Sequence, residues 1–260
     1  MCRVECQPHE RIDDLQIGGL RLIQNPKWFC FGVDAVLLSH FLSLKAGDVA
    51  VELGTGNGIV SILASVKYEF HRIFACELQP AVADLARRSV QLNGLSDRIE
   101  ILEMDMLALP DRLSASSIDV VFSNPPYVSK GRGIVSERSE KALSRHETTA
   151  GVAEILELAA YLLKPGGALY LVHRPDRLVD IFCAARACGI EPKRIRFVHP
   201  SCGKKPNIVL IALVKGAGRE LKYDDPLYVY DEAGNYSKEI HEIYGREYVD
   251  PVRDTDRPSR

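Results

Sequence analysis

From residue 48 the chain alternates short, continuous apolar runs with longer stretches in which apolar positions recur at helical spacing. "DVAVELG", "RIFACEL", "RIEILE", "IDVVFSN", "ALYLVH", "KRIRFVH" and "NIVLIALVK" read as strands. Asn57 to Lys67, residues 80–93, "VAEILELAAYLL" and "PDRLVDIFCAARACG" read as helices, the second opened by Pro80 and the third stopped by "KPGG". Unbroken apolar runs of this kind belong to strands buried on both faces. About seven strands alternating with helices between residues 48 and 215 predict an α/β fold: a Rossmann-like, seven-stranded, mainly parallel sheet with helices on both faces.

The ends read differently. Residues 1–14 are polar and charged, an arm; "LQIGGLRLIQNPKWF" suits a hairpin turning at Gly18-Gly19, and "GVDAVLLSHFLSL" a helix closed by Lys45-Ala46-Gly47. The expected division is an N-terminal arm, hairpin and covering helix (1–47), the α/β domain (48–215), and an extension (216–260) that is disordered at its end. That extension holds six of the ten tyrosines and suits a short hairpin around Gly234-Asn235. Residues 128–150 interrupt the strand–helix rhythm and read as a functional loop.

Composition narrows the picture only a little. The chain has 260 residues, 46% hydrophobic and 26% charged, enough to bury a core without disulfides or a structural metal. A net charge of −2 does not announce a nucleic-acid binder, although local patches matter more than the sum. The seven cysteines are odd in number and scattered, as in a reducing compartment; Cys2, Cys6 and His9 lack a fourth ligand at metal-site spacing, so no metal is expected. With neither a leader-like start nor a membrane-length apolar run, a cytoplasmic protein without a membrane partner is expected.

"VELGTGNGI" follows the first strand of the alternation and opens its first helix. Gly54, Gly56 and Gly58 let backbone pass close to a ligand. A dinucleotide fingerprint would want glycine at 59, where Ile59 stands, and no Gly-Lys-Ser/Thr follows for a phosphate loop. Instead Glu52 precedes the first glycine, where a carboxylate would repel a pyrophosphate and welcome a cation. Glu77, ending the next strand, is placed for ribose hydroxyls, and Asp105, past the third, for an adenine amino group. A cationic adenosine ligand fits all three acids, so the cofactor expected is S-adenosyl-L-methionine. Asn57 in the loop, with Leu78 and Met106 beside the acids, completes the set read from this part of the chain.

The fourth strand ends in "SNPPYVSKG". Methylating a planar amine is hard because its lone pair is delocalised. Two acceptors gripping the N–H hydrogens, the Asn124 side-chain oxygen and the Pro125 carbonyl, would push the nitrogen toward a tetrahedral form. Pro125 and Pro126 fix that carbonyl without a strand ladder, and Tyr127 can stack on a planar substrate, a contact worth on the order of 1–3 kcal/mol. No strong base is required, since the methylated nitrogen sheds its proton, so a role other than base suits His146. Asn124 therefore counts toward both catalysis and the cofactor site.

"VELGTGNG" followed by "NPPY" resembles the class I methyltransferases that use S-adenosyl-L-methionine to modify exocyclic or amide nitrogens. More narrowly, "DDLQIGGLRLIQNPKWFCFGVDAVLLSHFL" resembles the bacterial tRNA(Val) adenine-N6 methyltransferases, which modify the adenine next to the anticodon; the resemblance runs over roughly residues 10 to 240. It implies that "FGVDAVLL" folds over the methionine end of the cofactor, which brings in Phe31 and Asp34. Core packing is the equal alternative for Phe31.

The substrate choice rests on charge. Lys193, Arg194, Arg196, Lys204 and Lys205 form a run without an acid, expected to hold tRNA phosphates at the cleft mouth. Lys130, Arg132, Arg138, Lys141 and Arg145 lie among acids, and a solvated face suits them at least as well. An unpaired anticodon-loop adenine turns into a pocket at small cost. Glutamine-N5 methylation of a protein such as a release factor is the alternative, against which stands the short, hairpin-like segment before the glycine loop. A non-catalytic cofactor- or RNA-binding module is a third, for which the whole Asn-Pro-Pro-Tyr would be superfluous.

Overall fold

A computed structural model describes residues 5–28, 30–126, 151–246 and 248. The chain opens with an antiparallel pair, β1 (Arg11–Asp14) and β2 (Arg21–Gln24), and a helix, α1 (Val33–Phe41). Then follow β3 (Val49–Leu53), α2 (Ile59–Lys67), β4 (Arg72–Glu77), α3 (Pro80–Leu92), β5 (Ile99–Glu103), a 3-10 turn at Met106–Asp111 and β6 (Ile118–Ser123). After residue 150 come α4 (Val152–Leu162), β7 (Leu163–His173), α5 (Leu178–Ala187), β8 (Ile190–His199) and β9 (Ile208–Lys215). The extension supplies β10 (Lys222–Tyr223), β11 (Leu227–Tyr228) and α6 (Lys238–Ile243).

The seven strands expected between residues 48 and 215 are all present as β3 to β9. Their order is β8-β9-β7-β6-β3-β4-β5, with β9 antiparallel to both neighbours and the remaining pairs parallel. The order reverses between β3 and β6, and in such sheets ligands bind at that point, outside the carboxyl ends of the strands. Leu53 is paired with Ser123, so the glycine loop and Asn124 leave adjacent strands at one level.

Two apolar layers cover the sheet. One gathers the hairpin, α1, α2 and α3 with Leu227, Val229, Ile240 and Ile243 of the extension; the other gathers α4 and α5. β10 and β11 both pair in parallel with β8, which lengthens the sheet edge, and α6 returns across α1 toward the hairpin. Lys67 donates to the Ile243 carbonyl at 3.0 Å, and Ile243 and Tyr244 line a small cavity with Leu15, Ile17, Phe31, Val36 and Leu63.

Three local expectations shift. The hairpin strands begin earlier, at Arg11, with both Gly18 and Gly19 left-handed and Leu15 closing onto the Leu20 carbonyl at 2.9 Å. α1 ends at Phe41 instead of near residue 44, although Leu42 and Leu44 stay buried. α4 stops just before "KPGG" as expected, but β7 starts at Leu163 instead of at Ala168 and runs through it with a register shift against β6. The turn at Gly234-Asn235 does form: Asp231 donates to the Asn235 carbonyl and Tyr230 bridges Tyr236. The expected disordered end, from residue 249, lies outside the described residues.

Candidate active site

The carboxyl ends of four strands are tied into one rim. Thr55 N–H donates to the Cys76 carbonyl at 2.9 Å, Met104 N–H to the Glu77 carbonyl at 3.0 Å, and the Ser123 hydroxyl to the Leu53 carbonyl at 2.7 Å. These bonds hold the glycine loop, both strand-end acids and the start of the Asn-Pro-Pro segment in fixed relation. Burial pushes the Cys76 thiol up to about 12, so it is an unreactive group lying 3.3 Å from the Met104 carbonyl oxygen.

Gly54, Gly56 and Gly58 all have positive φ. Gly58 caps α2 at φ 85°, where an added Cβ would lie 3.6 Å from the Ala86 methyl of α3. Gly56, at φ 58°, has no heavy atom of the described residues within 4 Å of such a Cβ, so its outer side is open to them. The loop thus floors a cleft that a ligand can approach down to the backbone.

The two glutamates do different work. Glu77 is 7% exposed, and its two oxygens accept the N–H groups of Gly56 and Gln79, each at 2.9 Å. A carboxylate has about four acceptor sites, so Glu77 retains capacity for a pair of hydroxyls. Glu52 is only 1% exposed and lies beneath the loop, not on its open side. One of its oxygens accepts the hydroxyls of Thr55, at 2.7 Å, and Ser61. Burial pushes its carboxyl up to about 7, with those hydroxyls pulling the other way and Glu77 adding repulsion. A cation above the loop would favour its charged form.

Asp105 is exposed; it caps the 3-10 turn by accepting the Leu107 N–H at 2.9 Å, and Met106 Cε comes within 4.0 Å of the Cβ position at Gly54. Leu78 is exposed on the same rim. Asn57 meets the hairpin: its amide lies 3.5 Å from Gln24 Oε1, which also accepts the Phe31 N–H at 3.3 Å. Gln24, buried and also bonded to Asp13, is thus the residue that fastens the hairpin over the loop. Nothing in its sequence surroundings marks it. Phe31 packs its ring among the hairpin, α1 and extension side chains, and Asp34 lies in the first turn of α1.

Asn124 is half-buried, Pro125 buried and Pro126 exposed at the end of β6. Tyr127, His146 and the basic residues of 128–150 lie outside the described residues. An open, glycine-floored cleft rimmed by carboxylates fits the cationic adenosine ligand expected from sequence: Glu77 would hold its ribose, Asp105 its base, and Glu52 the electrostatics from below.

The five basic residues read as one phosphate-binding run are not brought together. Lys193 lies near the start of β8, at the opposite edge of the sheet, and donates to the Gly218 carbonyl at 3.0 Å. Arg194 lies 3.9 Å over the Phe41 ring, donates to the Phe41 carbonyl and faces Asp224 at 3.3 Å. Arg196 pairs with Glu239 at 2.6 Å and donates to the Asp225 carbonyl at 2.8 Å. Lys204 and Lys205 are exposed in the β8–β9 connection, on the same edge as the cleft. Among the described residues no His/Cys/Asp/Glu group suits a metal, and no helix is long and apolar enough to cross a membrane.

The family model described as "Methyltransferase small domain" matches residues 31–179, more than half of the chain. A Porphyromonas gingivalis protein named tRNA1(Val) (adenine(37)-N6)-methyltransferase is 27% identical over 216 residues, 80% of this chain and 84% of that one. A protein of the same name from Tolumonas auensis is 29% identical, over 70% and 75% of the two chains. Among solved structures, a predicted O-methyltransferase from Agrobacterium tumefaciens superposes with a TM-score of 0.64 at 22% identity, covering 84% of this chain and all of that one; at that identity the likeness speaks for the fold. The chain belongs to the methyltransferase small domain family, has the class I methyltransferase fold, and is a methyltransferase whose methyl donor is S-adenosyl-L-methionine.

Proposed function

We propose that this enzyme methylates N6 of an unpaired adenine in tRNA, in the anticodon loop beside the anticodon, in the cytoplasm. The observation that carries the reading is the placement of Asn124 and Pro125 beside the glycine loop, at the point where the strand order reverses. The relatives' shared name supports the choice of tRNA. S-adenosyl-L-methionine supplies an electrophilic methyl group; the rest of the chemistry is positioning. Asn124 accepts one N–H of the exocyclic amine and the Pro125 carbonyl the other, which exposes the nitrogen lone pair. Pro125, buried at the end of β6, gives its carbonyl a fixed direction. Tyr127 is the stacking partner of the base. Glu52, Glu77 and Asp105 hold the cofactor, with Gly54, Gly56, Asn57, Gly58, Leu78 and Met106 forming its floor and walls and Phe31 and Asp34 its cover. We further propose that residues 1–47 act as arm and cofactor cover and 48–215 as the catalytic domain, with 216–260 a C-terminal extension.

The test is mass spectrometry of tRNA nucleosides from a strain lacking the gene, paired with transfer of labelled methyl to bulk tRNA by the purified protein. Loss of N6-methyladenosine from tRNA and label in tRNA are expected. Label entering only a release factor would move the reading to glutamine methylation; label entering no substrate while the cofactor still binds would leave a binding module.

A further inference from the structure

The extension turns aromatic rings to solvent where it pairs with β8. Along Leu227-Tyr228-Val229-Tyr230 the aliphatic residues are buried and both tyrosines are turned to solvent, 37% and 42% exposed. Neither ring is displaced by loose backbone. Leu227 and Tyr228 are paired with Val198 and His199, Val229 N–H donates to the His199 carbonyl at 2.9 Å, and Tyr230 N–H to the Pro200 carbonyl at 2.8 Å. Strand alternation then sends residues 228 and 230 to one face, about 7 Å apart.

Tyr230 is also the open end of a column. Its ring lies 5.5 Å from that of Tyr236 with 10° between planes, and Tyr236 lies 6.1 Å from Tyr244 at 20°. The far end is closed by the Arg246 guanidinium, 4.5 Å from the Tyr244 ring centre. Tyr236 and Tyr244 pack against the core, which leaves Tyr230 as a fixed aromatic face at the surface. Tyr228 stands next to it, its ring 5.3 Å from that of His199, and His199 Nδ1 lies 2.7 Å from the Lys204 carbonyl. That contact organises the connection carrying the exposed Lys204 and Lys205 beside the tyrosines. Asp231, the next residue, is engaged with the N–H groups of Ala233 and Asn235.

β8 runs parallel to β6, so this ledge lies on the cleft's edge of the sheet. From β6 it is four strand spacings away through β7, β9 and β8, about 19 Å. Rigid, solvent-facing rings beside exposed lysines are the means by which proteins hold single-stranded nucleic acid: bases stack and phosphates are neutralised. We infer that Tyr228 and Tyr230 form a ledge on which unpaired bases flanking the target nucleotide stack, with Lys204 and Lys205 holding the phosphates beside it. The inference rests on the tRNA reading above and adds where the flanking RNA is held.

Tyr230→Ala should weaken tRNA binding, followed by fluorescence anisotropy, about tenfold, as loss of a base-stacking aromatic does. The tRNA KM should rise in parallel with kcat unchanged, and Tyr230→Phe should bind as tightly as the natural protein. Replacing Lys204 and Lys205 together with Ala should weaken binding and reduce the log–log salt slope by about 2. Unchanged tRNA affinity in Tyr230→Ala, while the natural protein turns tRNA over, would overturn the ledge and leave the tRNA reading standing. Equal loss of cofactor and tRNA affinity in Tyr230→Ala would mark the ring as packing and also overturn it. Absence of any tRNA turnover by the natural protein would remove both.

Discussion

The two ends of the sheet's carboxyl edge are built on opposite terms. At the β3–β4 end the polar groups are buried and already partnered: Glu52 with Thr55 and Ser61, Glu77 with Gly56 and Gln79, Gln24 with Phe31 and Asn57. At the β8 end the aromatic and cationic groups stand at the surface, and those charges that do turn inward are neutralised by acids of the extension. The first arrangement suits a small ligand met in one geometry, because the acceptors need no reorganisation. The second suits a long polyanion held by several exposed contacts. In the first region the chemistry depends on where hydrogen bonds are held; in the second it depends on which charges are left over after folding.

The sharpest break of that contrast is at Asn124. Asn124→Ala should lower methyl transfer by about two to three orders of magnitude, the usual cost of one preorganised polar contact in a reaction. Cofactor affinity by calorimetry should survive, since the glycine loop and Glu77 are held by other bonds. Loss of both together would place Asn124 among the residues that merely shape the cleft.

Glu52 gives the next largest effect, and its sign follows from its environment. Its carboxyl is raised to about 7, so between about pH 4.5 and 7 the folded protein keeps a proton that the unfolded chain releases. Its contribution to stability is therefore complete at low pH and is lost as pH rises through 7, a cost of about 3 kcal/mol once passed. Glu52→Gln should melt with the natural protein near pH 5 and above it at pH 8 in the absence of cofactor, while binding the cationic cofactor less well. A stability difference that stayed flat with pH would show that the carboxyl ionises in its usual range.

What could be read before folding was considered follows the same divide. β3 to β9 are continuous apolar runs, and the glycine loop and Asn124-Pro125-Pro126 act through their own covalent geometry, so local sequence exposes them. Gln24 is invisible because its partners, Phe31 and Asn57, come from a segment and a loop that only tertiary packing brings to it. β10 and β11, two residues each, exist only because β8 offers an edge. The basic run misled for a related reason. Counted along the chain, residues 193 to 205 carry no acid, yet Asp224 and Glu239 arrive from the extension and satisfy Arg194 and Arg196. Strand direction does the rest, sending Lys193 to one edge of the sheet and Lys204 and Lys205 to the other.

Arg196 tests whether those charges are truly structural. Its side chain is 15% exposed, and Arg196→Ala would remove both the Glu239 pair and the bond to the Asp225 carbonyl. A charged group with two such contacts is worth about 2 kcal/mol, or roughly 6 °C in a domain of this size. A lower melting temperature with unchanged tRNA affinity per folded molecule is expected. Weaker tRNA binding at unchanged stability would return Arg196 to the substrate side.

The smallest effect belongs to the neighbouring pair. Arg194 and Asp224 meet at 3.3 Å with both side chains more than one-third exposed, and a solvated ion pair contributes about 0–1 kcal/mol. Arg194 also has the Phe41 ring and carbonyl, which do not depend on the acid. Asp224→Asn should therefore shift the melting temperature by no more than about 3 °C and leave tRNA affinity unchanged. A marked rise in tRNA affinity would mean that Asp224 is a guard, and that removing it turns the Arg194 guanidinium into a phosphate contact. Both variants measured together separate a charge consumed by the fold from one that is only shielded by it.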